Sequence, residues 1–167
     1  MRVLKSFIFT VGLLMLTFSP SFAMGQFAMV ENSSQGKQAP DFTLKGIDGK
    51  DLTLSQVRDG KKAIIFFWAT WCPHCREQLK HLSEQAADIE QKGVKIILVD
   101  IGEEAAPVQE YVMKYKIPFP VFLDQQNKIS DEYGIIGVPT FFFVNKDGMV
   151  KAIEHALPDN YDEVLSK

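Results

Sequence analysis

The stretch Ala63-Ile64-Ile65-Phe66-Phe67-Trp68-Ala69-Thr70-Trp71-Cys72-Pro73-His74-Cys75 contains the only two cysteines of a 167-residue chain. They stand two residues apart, shortly after an unbroken apolar run. A short run of this kind reads as a buried strand. The residues after Cys72 read as a helix, so Cys72 falls at a strand-to-helix junction, on the first helical turn. There the unpaired backbone N–H groups and the positive end of the helix dipole favour an anion, here a thiolate. The thiolate is the species that attacks disulfides.

The helix is predicted over Pro73 to Lys92. Its apolar positions Leu79, Leu82, Ala86 and Ile89 recur at spacings of three and four, which marks one buried face. Pro73 suits a first helical turn and Gly93 a stop. Val94 to Ile101 then reads as a second buried strand, and strand, crossover helix and strand form a βαβ unit with parallel strands. Ala105 to Tyr115 is predicted as a helix, followed by a short strand Val121 to Leu123, a short helix Asn127 to Tyr133, and a strand Phe141 to Val144. Asp147-Gly148 turns the chain into a partner strand from Met149. A last helix is predicted over Asp159 to Lys167. Ahead of the central unit, Phe42 and Leu44 alternate with polar residues. Gly46-Ile47-Asp48-Gly49 makes a turn, and Leu52 and Leu54 alternate again, which reads as a hairpin. A helical turn is expected around Ser55 to Arg58.

The N-terminus reads as a secretory signal peptide over residues 1–23. Arg2 and Lys5 precede an uncharged, mostly apolar segment from Ser6 to Phe18, Pro20 breaks it, and Ser21-Phe22-Ala23 offers a cleavage site. The apolar segment is short for a membrane span. Residues 24–38 are small and polar with little periodicity and are expected to be a linker, which leaves a domain from Ala39 to Lys167. Formal net charge is −3 for the whole chain and −5 once Arg2 and Lys5 are removed. This mild acidity argues against nucleic acid or an anionic membrane surface as partner. Export places the cysteines in an oxidising compartment, periplasmic or otherwise extracytoplasmic.

Phe67 to Cys75 resembles the active-site stretch of the thioredoxin superfamily, and Gly137-Val138-Pro139-Thr140 resembles its cis-proline loop. The front hairpin opened by Ala39-Pro40-Asp41-Phe42-Thr43-Leu44 and the insert Ala105 to Phe119 are similar to the TlpA/ResA-type branch of exported thiol–disulfide oxidoreductases. The resemblance implies an α/β thioredoxin-like fold: a central mixed β-sheet flanked by helices, an N-terminal β-hairpin and a TlpA-type helix–strand insert. It makes Cys72 the attacking sulfur, Cys75 the resolving one, and the pair a redox disulfide. Pro139 would set its loop against the sulfurs, and the backbone of Val138 would pair with an extended substrate segment. Trp71 and Thr140 would complete the substrate contacts. The implied partners are protein thiol or disulfide substrates and a membrane or extracytoplasmic redox partner, with the protein itself a monomer and no cofactor required.

Pro73-His74 is also the dipeptide of DsbA-type oxidants. An imidazole near the Cys72 sulfur, added to the helix terminus, is expected to favour thiolate and make the couple more oxidising than thioredoxin's. Two acids of the wider family are missing. The position six residues ahead of Cys72 is Phe66, and the position three after Cys75 is Gln78. A buried water or Glu154 remains as acceptor for the Cys75 proton. The scaffold resembles reducing proteins while the dipeptide points to an oxidising poise, so the direction of electron flow stays open. Trp68 and the Phe141-Phe142-Phe143 triplet are expected in the core, Lys61-Lys62 in a turn, and His81 in solvent. His155 has no evident partner. A different class of function is open to the same sulfurs. Cys72 and Cys75 could hold Cu(I) as thiolates, as in a copper-handling protein. Structural zinc wants four ligands, with only His74 at hand locally. A peroxidase pattern is not supplied by Ile65 and Ala69.

Overall fold

The computed structural model describes residues 34–166. The signal-peptide segment and most of the linker lie outside the described residues. Seven strands form one sheet in the order β2-β1-β5-β4-β3-β6-β7. In chain order they are β1 (Thr43–Gly46), β2 (Asp51–Thr53), β3 (Lys62–Trp68), β4 (Val94–Ile101), β5 (Val121–Asp124), β6 (Thr140–Val144) and β7 (Val150–Glu154). The helices are α1 (Leu54–Arg58), α2 (Pro73–Gln91), α3 (Ala105–Tyr115), α4 (Lys128–Glu132) and α5 (Tyr161–Val164). The three strands at the centre, β3, β4 and β5, are parallel; β1, β2, β6 and β7 pair antiparallel at the flanks. This is the mixed, thioredoxin-like α/β sheet expected.

The unbroken apolar runs of β3 and β4 reflect burial on both faces. Successive side chains alternate between the layers. Ile64, Phe66 and Trp68 of β3, with Ile96 and Leu98 of β4, pack under α2 and α3 against Leu79, Leu82, Val108 and Val112. Ala63, Ile65 and Phe67, with Ile97 and Val99, face the other way, toward Phe42, Leu54, Ile129 and Tyr133. Phe66 and Phe141 stack face to face across the β3–β6 pair, with centroids 4.2 Å apart and planes 1° from parallel.

Several element ends shift by a residue, and three departures from expectation have a visible cause. Leu54 opens α1 instead of extending β2, because Asp41 draws the chain round: its carboxylate accepts bonds from the Ser55 N–H at 2.9 Å and the Ser55 hydroxyl at 2.7 Å. The last helix is one turn, Tyr161–Val164, with the fully buried Tyr161 setting its position. The end of the expected linker is bonded into the domain: Gly36 N–H donates to Val150 O, Val150 N–H to Lys37 O, and Ala39 N–H to Gly148 O, at 2.8–2.9 Å. These bonds pin residues 36–39 beside the β6–β7 turn. Arg58 ties the same turn to α1 by donating to the carbonyls of Lys61, Asn145 and Lys146.

Replacing Phe66 by alanine removes one half of the central aromatic stack. The expected cost is about 3–5 kcal/mol, read as a lower urea midpoint of the oxidised protein at unchanged m-value. A loss below about 1 kcal/mol, less than burial of the ring alone supplies, would mean that the core collapses around the missing ring.

Candidate functional site

Parallel β3 and β4 end side by side, with Trp68 in register with Asp100. The chain leaves Trp68 through a tight turn in which the Cys72 N–H donates to the Ala69 carbonyl at 3.2 Å. Cys72 is the N-cap of α2, with extended backbone angles, and Pro73 occupies the first helical position. The Cys72 sulfur takes the place of a capping oxygen: the Cys75 N–H donates to it at 3.1 Å. Cys72 and Cys75 form a disulfide with Cα atoms 5.2 Å apart, and both are buried. When the pair is reduced, the same N–H and the same helix end stabilise negative charge on Cys72.

Facing the disulfide is the loop before β6. The Val138–Pro139 peptide bond is cis. The Val138 carbonyl oxygen lies 3.7 Å from the Cys72 sulfur. Beside it runs an open groove of about 440 Å³ lined by Trp71, Ile101, Ile135, Ile136 and Val138 among others. Trp71 is 63% exposed and Ile136 87%, which is unusual for residues of this size. A disulfide at a helix start, a proline loop against its outer sulfur and a groove with both apolar and polar walls are thus brought together from three separate segments.

Residues 35–153 match the AhpC/TSA family. The chain belongs to this family. Within it, the thiol–disulfide oxidoreductase ResA of Bacillus cereus is 35% identical over 140 residues, which cover 83% of this chain and 80% of the relative. A thiol:disulfide interchange protein of Chlorobium tepidum superposes with a TM-score of 0.67 at 25% identity, over 79% of this chain and 95% of that one. A secreted disulfide oxidoreductase of Mycobacterium tuberculosis does so at 0.62 and 26%, over 75% and 92%. This chain is a ResA-like thiol–disulfide oxidoreductase.

In this ResA-like protein several expected site residues take other positions. The polar partner of the His74 ring is Glu77, at 3.5 Å, and the ring is largely exposed; no bond joins it to the Cys72 sulfur. Thr140 is buried, and its hydroxyl donates to the Gly137 carbonyl at 2.7 Å, which braces the loop from within. His155, for which the sequence names no partner, donates through Nδ1 to the Pro139 carbonyl at 2.9 Å. Gln78 accepts the Leu157 N–H at 2.8 Å and fastens the last loop to α2. Glu154 is exposed at the end of edge strand β7. Among the described residues no group of three or more His, Cys, Asp or Glu side chains could hold a metal ion. A copper site would therefore rest on Cys72 and Cys75 alone.

Sequence reading missed Asp100. It lies fully buried in β4, inside a run otherwise apolar apart from Lys95, and that placement is the signal that could have found it. Burial first, then the neighbouring Glu103 carboxylate, then Asp124, push its pKa up to about 9. An ionised carboxylate without donors in such a place is costly, so the acid stays neutral.

The folded Asp100 pKa lies far above the 3.8 of an ordinary aspartate. The folded protein therefore keeps a proton that the unfolded chain releases. Stability from this group is complete below the unfolded pKa and is lost as pH rises through the folded one. Between about pH 5 and pH 8 the unfolding free energy is expected to fall by up to about 1.4 kcal/mol per pH unit on its account. Asp100→Asn should lack that slope. Parallel pH dependences of the two proteins in urea unfolding would show that Asp100 ionises normally.

Proposed function

We propose that this chain is an exported thiol–disulfide oxidoreductase that exchanges disulfides with protein substrates presented as extended segments along the Val138 loop. The observation that carries this reading is the 3.7 Å approach of the Val138 carbonyl to the Cys72 sulfur, at the rim of the groove lined by Trp71 and Ile136. A strand laid against Val138 would bring its own sulfur to Cys72, with backbone bonds giving affinity and the groove accepting an apolar neighbour. Export is supported by the signal-like residues 1–23 and by the secreted relative from Mycobacterium tuberculosis. No helix among the described residues is long and apolar enough to cross a membrane.

In the exchange, the Cys72 thiolate attacks one sulfur of a substrate disulfide, the substrate's other sulfur leaves as thiolate, and a mixed disulfide forms. Cys75 loses its proton and attacks the Cys72 sulfur. The second substrate sulfur leaves, so two electrons have passed to the substrate and the Cys72–Cys75 disulfide is restored. An extracytoplasmic or membrane dithiol must then reduce that disulfide. Run in reverse, with a disulfide-bearing partner, the same steps oxidise substrate dithiols.

Cys75→Ala tests the reading, since it removes the resolving sulfur and stalls the mixed disulfide on Cys72. Expressed in full length in an exporting host, the variant should accumulate reductant-sensitive adducts with exported proteins. Cys72→Ala/Cys75→Ala should carry none. Absence of adducts on the single variant in the exported fraction would remove protein disulfides as the substrate.

A further inference from the structure

Thr70 sits inside the turn that carries the chain from Trp68 to Cys72, and Glu103 grips it twice. One carboxylate oxygen accepts the Thr70 N–H and the other the Thr70 hydroxyl, both at 2.6 Å. Both donors point at Glu103, so its two oxygens act as acceptors toward Thr70. Asp100 is its neighbour and the opposite case: fully buried, with neither oxygen meeting a hydrogen-bond partner at ordinary geometry. The indole nitrogen of Trp68, the residue in register with Asp100, is likewise buried without a partner.

We propose that Asp100 and Glu103 carry one proton between them and, through Thr70, govern the loop that presents Cys72. Asp100 is a positioning residue in this scheme, acting through Glu103 and Thr70. While it is neutral, the pair bears a single negative charge, and Glu103 is free to bind both Thr70 donors. Once Asp100 ionises, two carboxylates stand together on the edge of a dry layer. Glu103 is the half-exposed partner and can move to solvent, which Asp100 cannot. That movement would release Thr70, loosen the turn closed by Cys72 and Ala69, and lower the reactivity of the Cys72 sulfur.

The charged groups that act on Asp100 are Glu103, just past β4, and Asp124 on β5. Asp124 is itself held by the N–H groups of Ile129 and Ser130. Across the same apolar layer lie Cys72 and Cys75 of α2 and Tyr111 of α3. Arg76 of α2 acts on Tyr111. The pair also supplies an acid where the site otherwise lacks one. The acid positions of the wider family are filled here by a stacked phenylalanine and by a glutamine whose oxygen is already bonded.

The test is the rate of iodoacetamide alkylation of Cys72 in the reduced full-length protein, located by mass spectrometry and divided at each pH by the rate constant of the fully ionised glutathione thiolate, which does not vary with pH. In the wild type the ratio should fall about threefold or more between about pH 8 and pH 10, giving a bell. Ionisation of Cys75 would raise total alkylation, not lower it. In Asp100→Asn, whose amide stays neutral at every pH, the alkaline fall should vanish. A flat alkaline limb in the wild type, or the same fall in the variant, overturns the proposal. The inference rests on Cys72 being the attacking sulfur. Preferential alkylation of Cys75 would instead refute that assignment, so the two failures are distinct. Carbon-13 NMR of the aspartate carboxyls checks the pair in the wild type without a substitution. One carboxyl should remain protonated at pH 7, and aspartates that all ionise below about pH 6 would overturn the proposal.

Discussion

The hydrogen bond from the Cys75 N–H to the Cys72 sulfur ties the chemistry to the fold, because it makes one atom both the cap of a helix and the nucleophile of a reaction. A helix start needs an acceptor for its free N–H groups, and a reactive sulfur needs donors for its charge. Both needs are met only if β3 delivers Cys72 to the first turn of α2 without slack. The rigidity comes from β3 being central in the sheet, paired on both sides and buried on both faces. The loop before β6 can then meet the sulfur because β6 is the other neighbour of β3.

The interior around this junction departs from the wider family in how it handles protons. Phe66 and Phe141 fill an acid position with a dry stack, and Gln78 spends its carbonyl on Leu157. The buried acid that remains on the α2–α3 side of the strands stands on β4, a neighbouring strand, and couples to the approach loop instead of to the helix. A single exchange of position changes which segment feels the titration. A group beside α2 would bear on Cys75, whereas Asp100 and Glu103 bear on Thr70, ahead of Cys72.

Most of the sheet is legible in the sequence because it rests on local pattern. The eight apolar-rich residues of β4 and the eleven of α3 match the expected spans residue for residue. Spacing also marks Cys72 and Cys75, and the resemblance to the thioredoxin superfamily marks the Val138–Pro139 loop. Leu54 misleads because alternation continues one residue past the point where Asp41, thirteen positions earlier, bends the backbone. The bonds of Glu103 to Thr70, of His155 to Pro139 and of Gln78 to Leu157 join segments whose adjacency exists only after folding. Side-chain direction at His74 is out of reach for a related reason: two partners are chemically reasonable, and only the helix geometry favours Glu77.

The pairing of residues 36–39 with Gly148 and Val150 gives the domain a polarity. Val150 pairs with Val144 at the end of β6 far from Thr140, so this seam lies at the pole opposite the disulfide. The chain therefore enters the domain from behind. The bonds that fasten the entering segment and those that hold the sulfurs therefore draw on opposite ends of the same sheet, and a change at one need not disturb the other.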